Sequence, residues 1–206
     1  MAISEAQAKK SPIQDAFEEH QYDFETANTK ARSWYDGEVR KLRRKQYTPN
    51  RIMRGSPEDL RTRIRPGFMY MYIYDAETKK DLPYYDRFPC VLVMRVMGDG
   101  FVGLNLHYLP YYLRFILLDR LWRFRSNTRM DETTRMRFTW ETIAGVAKYR
   151  AAVPCVKRYK YSRLRSQFRI IEINDWATAM LLPVENFRKA SKENVWQDSK
   201  RKMIGS

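Results

Sequence analysis

The chain has 206 residues, 44% of them hydrophobic and 31% charged, enough to bury a core and too apolar for a wholly disordered protein. Its 39 lysines and arginines against 24 acids give a net charge of +15, which argues against an acidic metal-binding protein and for a polyanionic partner. Two histidines (His20, His107) and two cysteines (Cys90, Cys155) lie scattered along the chain; a four-ligand zinc site would consume all of them, so zinc is set aside.

Residues 1–25 are polar and broken by Pro12, and read as a mobile arm. They carry no apolar signal-peptide core. The longest apolar stretch, residues 104–118, is interrupted by His107 and Arg114, so no membrane span of ~18 apolar residues is expected. Two cysteines in apolar settings fit a reducing compartment, and assembly in the cytoplasm follows.

From residue 26 the pattern turns helical: Ala31, Trp34, Tyr35, Val39 and Leu42 recur at three- and four-residue spacing. This helix ends in Arg40-Lys41-Leu42-Arg43-Arg44-Lys45, cations at the negative end of the helix dipole. Thr48-Pro49 and Ser56-Pro57-Glu58-Asp59 are helix starts, a hydroxyl cap followed by proline at the first position. Residues 26–65 are thus one longer helix and two short ones.

The period changes at Pro66-Gly67. Residues 68–74 alternate Met69, Met71 and Ile73 with Tyr70, Tyr72 and Tyr74, a strand with a tyrosine face that is either core or contact surface. Residues 90–97 and 101–107 are two further strands about the hairpin turn Gly98-Asp99-Gly100. Pro110 opens a helical stretch with Leu113, Leu117, Leu118 and Leu121 inward, and Asp131-Glu132 starts another. A third basic segment runs from 155 to 169. Residues 168–173 return to strand, Asn174-Asp175-Trp176 reads as one helical turn, and residues 179–183 as a last short strand. Ser191 starts a terminal helix through Val195 and Trp196.

The expected architecture is α+β. A small SH3-like antiparallel barrel comprises residues 66–109 and 166–187, with a large helical insertion at 110–165. A helical segment at 26–65 precedes it and a C-terminal helix and tail at 188–206 follow.

The charge is unevenly placed. Residues 30–65 carry 12 basic and 4 acidic groups and residues 114–169 carry 15 and 4, whereas 1–29, 66–113 and 170–206 come to −4, −1 and +1. The first basic block supplies Arg40, Lys41, Arg43, Arg44 and Lys45. In the second, Lys157, Arg158, Lys160, Arg163 and Arg165 interleave with Tyr159 and Tyr161, a mix that pairs phosphates and stacks on bases. Arg120, Arg123, Arg125, Arg129, Arg135 and Arg137 add an arginine surface within the insertion. A polyanion is expected to meet the helical layer rather than the sheet. The bland alternative is that these are solvated faces, with the tyrosines in the core, or faces that dock on acidic proteins.

Enzyme chemistry finds little support. The acids Asp75, Asp81, Asp86, Asp99, Glu172 and Asp175 sit where turns and caps place them. His107 alternates with leucines and reads as a core or rim hydrogen-bonder, and there is no phosphate-cradling glycine motif. A metal-dependent nuclease would need two or three convergent carboxylates. No cofactor, metal or small-molecule substrate is expected.

Three stretches carry a resemblance: Pro66-Gly67-Phe68-Met69-Tyr70, Leu82-Pro83-Tyr84-Tyr85-Asp86-Arg87-Phe88-Pro89, and Gly103-Leu104-Asn105-Leu106-His107-Tyr108-Leu109-Pro110. With Lys189-Ala190-Ser191-Lys192 and Val195-Trp196-Gln197-Asp198-Ser199, the chain over residues 30–202 resembles a family of small basic proteins of T-even-type tailed phages, the DNA end-protector or head-completion group. The resemblance implies a non-enzymatic virion protein, assembled in the host cytoplasm beside other virion proteins, that binds the ends of packaged double-stranded DNA and shields them from exonuclease. It carries over no catalytic residue. The alternative is a structural component of the neck, tail or baseplate docking on acidic neighbours.

Overall fold

The structure, a computed structural model, describes residues 37–45, 47–114, 152–172 and 175–204. The expected arm, most of the first helix and residues 115–151 of the insertion, with the arginines from Arg120 to Arg137 named above, lie outside the described residues.

The centre is a mixed helix-and-strand unit built on an antiparallel sheet. Its strands are β1 (Leu60–Arg61), β2 (Met69–Met71), β4 (Cys90–Val96), β5 (Gly100–Asn105), β6 (Val156–Lys160) and β7 (Phe168–Ile171), in the order β1-β7-β2-β4-β5-β6. A separate two-stranded ladder pairs β3 (Tyr85–Asp86) with β8 (Phe187–Arg188). The hairpin of β4 and β5 turns as expected at residues 97–100, closed by Met97 N donating to the Gly100 carbonyl at 2.8 Å.

Both faces of the sheet are buried, which explains the unbroken apolar run from Cys90 to Met94 in β4. On one face Met69, Met71, Cys90, Leu92, Met94 and Leu104 pack against helical elements. These are α2 (Trp176–Leu181), α3 (Lys192–Ile204) and residues 37–44, which present Trp176, Met180, Val195 and Val39. On the other face Tyr70, Tyr72, Tyr74, Phe101, Tyr159 and Phe168 form an aromatic core. Tyr74 and Tyr159 meet edge-on at 4.9 Å, and Phe101 stacks on Tyr159 at 5.2 Å. The Tyr70, Tyr72, Tyr74 face is therefore core, not a contact surface.

The sheet curls around these rings, so that Asp75 N reaches the Arg163 carbonyl at 3.0 Å and Arg165 N the Ile73 carbonyl at 2.8 Å. It nevertheless ends in two edge strands, β1 and β6, so the expected SH3-like barrel is not closed.

Three further expectations need correction. β2 is shorter than residues 68–74, because the Ile73 amide is taken by the Ser166 hydroxyl at 2.8 Å instead of a ladder. The basic segment at 156–160 is a strand, not part of a helical insertion. It lies close along β5 because Gly100 has no side chain there, and a Cβ would stand 2.0 Å from the Tyr159 carbonyl oxygen. Residues 179–181 are helix rather than strand. Trp176, Ala179 and Met180 are all buried at three- and four-residue spacing, and alanine, methionine and leucine are strong helix formers.

Of the two short elements before the sheet, the first is capped by its hydroxyl residue, and the second, the 3-10 turn Pro57–Asp59, has no side-chain cap from Ser56. Thr48 Oγ1 accepts from Arg51 N at the start of α1 (Pro49–Met53). Arg169 on β7 ties this region down, its guanidinium donating to the Ser56 carbonyl at 3.2 Å and pairing with Asp59 at 3.1 Å.

Candidate nucleic-acid interface

The first basic group sits on the helix at residues 37–44. Val39 is buried and Leu42 packs against the core, which rotates Arg40, Lys41, Arg43, Arg44 and Lys45 outward, all exposed. Glu38 takes one of these cations, Lys41, at 2.6 Å. The chain end of this helix is held by Arg51, which donates to the Lys45 carbonyl at 3.0 Å.

The second group divides. β6 alternates, so Tyr159 faces the aromatic core and is only 4% exposed, its hydroxyl accepting from Asn105 Nδ2 at 3.0 Å. Tyr159 is thus removed from base stacking. Tyr161, on the 3-10 turn Tyr161–Arg163, remains half-exposed beside Phe101. Arg158 pairs with Asp99 at 2.7 Å, Lys160 and Arg163 share Glu77, and Arg165 lies 3.7 Å from Asp75. Among the described residues, Lys157 alone of this group has no carboxylate partner. Its ammonium sits 4.2 Å from the centre of the Tyr108 ring. Burial above all lowers its pKa, and the charge of Lys202 lowers it further.

Helix α3 joins the two groups, which the near-neutral count over residues 170–206 concealed. Lys192 at its start lies near Arg43; burial is the main cause of its lowered pKa, and Arg43 adds to it. Ten residues on, about 15 Å along the axis, Lys202 reaches the second group and pairs with Asp198 at 2.8 Å. Lys200 and Arg201 are exposed beside it. The cations therefore form one path, from the helix at 37–45 along α3 to the edge strand β6. Part of the second basic group thus lies on a strand of the sheet rather than in a helical layer.

Where β6, the end of α3 and the segment before β3 meet, a pocket of about 580 Å³ opens. Tyr84, Tyr108 and Tyr159 wall it, Lys157, Lys160 and Lys202 stand around it, and Asp86 lies at its floor. Tyr84 donates its hydroxyl proton to Asp198, so the ring is fixed. Tyr84, Tyr108, Lys192 and Lys202 were not among the expected contact residues. The Asp198–Lys202 spacing of four on a helix is the signal that could have found the last.

Of the acids and the histidine considered for catalysis, Asp75, Asp86, Asp99 and His107 are engaged in structure. Asp86 is buried, and its carboxylate faces His107 Nδ1 at 2.7 Å and accepts from Asn105 Nδ2 at 3.2 Å, Phe88 N at 3.0 Å and Asn186 N at 3.3 Å. His107 is fully buried, which makes it a core hydrogen-bonder. Asp75 and Asp99 are salt-bridged at the surface. Among the described residues no three His, Cys, Asp or Glu side chains gather to hold a metal, and no helix is long and apolar enough to cross a membrane. Cys90 and Cys155 are free and buried, their thiols pushed up to about 12 by desolvation, so they are not poised as nucleophiles.

The model of one protein family, described as phage T4 terminal DNA protecting protein, matches residues 19–201 of this chain. Comparison with curated proteins and with solved structures gives no match.

Proposed function

Since the chain belongs to the phage T4 terminal DNA protecting protein family, we propose that it is a non-enzymatic virion protein that binds the ends of packaged double-stranded DNA during head completion. The observation that carries this reading is the continuous path of cations from Arg40, Lys41, Arg43, Arg44 and Lys45 through Lys192 to Lys202, Lys157 and the basic side chains Arg158, Lys160, Arg163 and Arg165. Such a path follows a phosphate backbone without reading its sequence. Tyr161 is the ring placed to stack on an exposed terminal base.

Several of these cations already hold carboxylates. The ion pairs of Arg158, Lys160, Arg163 and Arg165 are part-exposed or exposed, so they contribute little to folding and can be exchanged for phosphate contacts. The protein would be assembled into the virion in the host cytoplasm, in contact with other virion proteins.

A gel-shift titration of the full chain with linear duplex and with closed circular duplex of equal length tests this. The linear form should bind more tightly, with affinity falling steeply as salt rises. Equal affinity for both forms contradicts end binding. Weak binding to both, with tight binding to acidic virion proteins, supports the rival reading of a docking component of the neck, tail or baseplate.

A further inference from the structure

We infer that the pocket between β6, the C-terminal turn of α3 and the segment before β3 seats the terminal phosphate of a DNA strand, with Lys157 and Lys202 as its two cationic partners and Tyr84 and Tyr108 as its walls. This rests on the end-binding reading above and adds to it a site and a chemical group.

Three observations carry the assignment. The first is the state of Lys157. A half-buried ammonium normally has a carboxylate partner, because an unpaired charge is costly to desolvate. Lys157 has only the face of Tyr108, among the described residues. A ring face attracts a cation but does not neutralise it, so the site is short of an anion.

The second is the local count of charge. Lys202 is near enough to disfavour the proton of Lys157, and Asp198, the carboxylate that favours it, is already paired with Lys202 at 2.8 Å. Glu77, also at the pocket, is committed to Lys160 and Arg163. Asp86 at the floor spends its oxygens on Asn105, His107, Phe88 N and Asn186 N. Arg158 is held by Asp99. What remains among the described residues is an excess of positive charge at Lys157, suited to a phosphomonoester carrying close to two charges.

The third is shape. The pocket is a recess whose walls include buried Tyr108 and Tyr159, with room for a single nucleotide but not for a paired duplex. An internal phosphodiester, flanked on both sides by paired nucleotides, fits such a recess less well than a strand end does.

The test compares the affinity of the full chain for one blunt duplex carrying 5′-phosphate, 3′-phosphate or only hydroxyl ends, with the closed circle as reference. One of the two phosphorylated duplexes should bind about tenfold more tightly than the hydroxyl form. Lys157→Met, which keeps an apolar stem against Tyr108, should abolish that preference while thermal unfolding stays cooperative. Lys202→Gln, at an exposed position, should weaken the preference independently. Equal affinity for all three linear duplexes, or a preference that survives both substitutions, overturns the pocket assignment. If those duplexes still outcompete the circle, end binding stands without the pocket; if the circle binds as well as they do, the underlying reading fails too.

Discussion

Arg114 is wholly buried, and its guanidinium is satisfied by the carbonyls of Leu109 at 2.8 Å and Met180 at 2.9 Å and by the Glu185 carboxylate at 2.5 Å. Burial by itself pushes the Glu185 carboxyl up, but the charge of Arg114, with His107 and Lys192, outweighs it and leaves the pKa below 4.5. A depressed folded-state pKa means stability that is present above the unfolded carboxyl value of ~4.3 and is lost as pH falls through the folded value. Glu185→Gln should therefore cost about 3 kcal/mol at neutral pH, by leaving a buried cation unpaired. It should also flatten the acid limb of a denaturation-midpoint series from pH 6 to pH 2. An acid limb as steep as wild type would show that other carboxylates govern it.

The two tyrosines of the second basic block separate cleanly at the same scale. Tyr159→Phe should lose about 1 kcal/mol of stability, as Asn105 gives up a partner, with no change in DNA affinity. Tyr161→Ala should reduce affinity about tenfold with little effect on stability, towards the low end of the ~1–3 kcal/mol stacking range. The reverse pattern in paired melting and binding measurements would place the stacking ring at Tyr159. Sequence could not separate them. Both sit two residues apart in a basic run, and only the pairing of β6 against Gly100 and Gly103 of β5 tells which face is inward.

Among elements, the β4–β5 hairpin, the Thr48 cap and the turn opened by Pro57 were legible, because turn glycines and proline at a helix start act locally, although Ser56 itself makes no side-chain cap. What was not legible depended on distant partners. β6 carries three cations in five residues, unremarkable for a helix face, and becomes a strand only because β5 has glycine where it must pass. Those cations also suit an edge strand, since they discourage pairing with other chains. Gly103 makes the same argument from the other side of β5, where a Cβ would stand 2.3 Å from Val91 Cγ1 and 2.8 Å from the Leu92 carbonyl oxygen. Gly103→Ala should thus destabilise by about 1–3 kcal/mol, the usual range for overpacking, read as a lower urea midpoint with an unchanged slope; an unshifted midpoint would mean that the hairpin adjusts freely. The basic helix end at 40–45 was read correctly as exposed. Arg43→Gln with Arg44→Gln should lower the slope of log affinity against log salt by about 2, at ~0.9 per phosphate contact.

At the scale of the whole molecule, a central sheet separates an aromatic core from an aliphatic one, and the cations lie on the rim of the aliphatic side and along one sheet edge. The net charge of +15 had two evident sources in the sequence. The third, the terminal helix, was hidden because a count by segment sets Glu172, Asp175 and Glu185, which lie outside it, together with Glu193 and Asp198 against its cations Lys192, Lys200, Arg201 and Lys202. Separate blocks in sequence thus become a single path in space, as end binding requires. Exonuclease digestion of linear duplex with increasing amounts of the protein, at low and at moderate salt, tests this most directly. The account predicts protection that saturates at a fixed number of molecules per DNA end, whatever the duplex length, and weakens with salt. Protection that scales with duplex length, or none at a concentration that binds DNA, would contradict it.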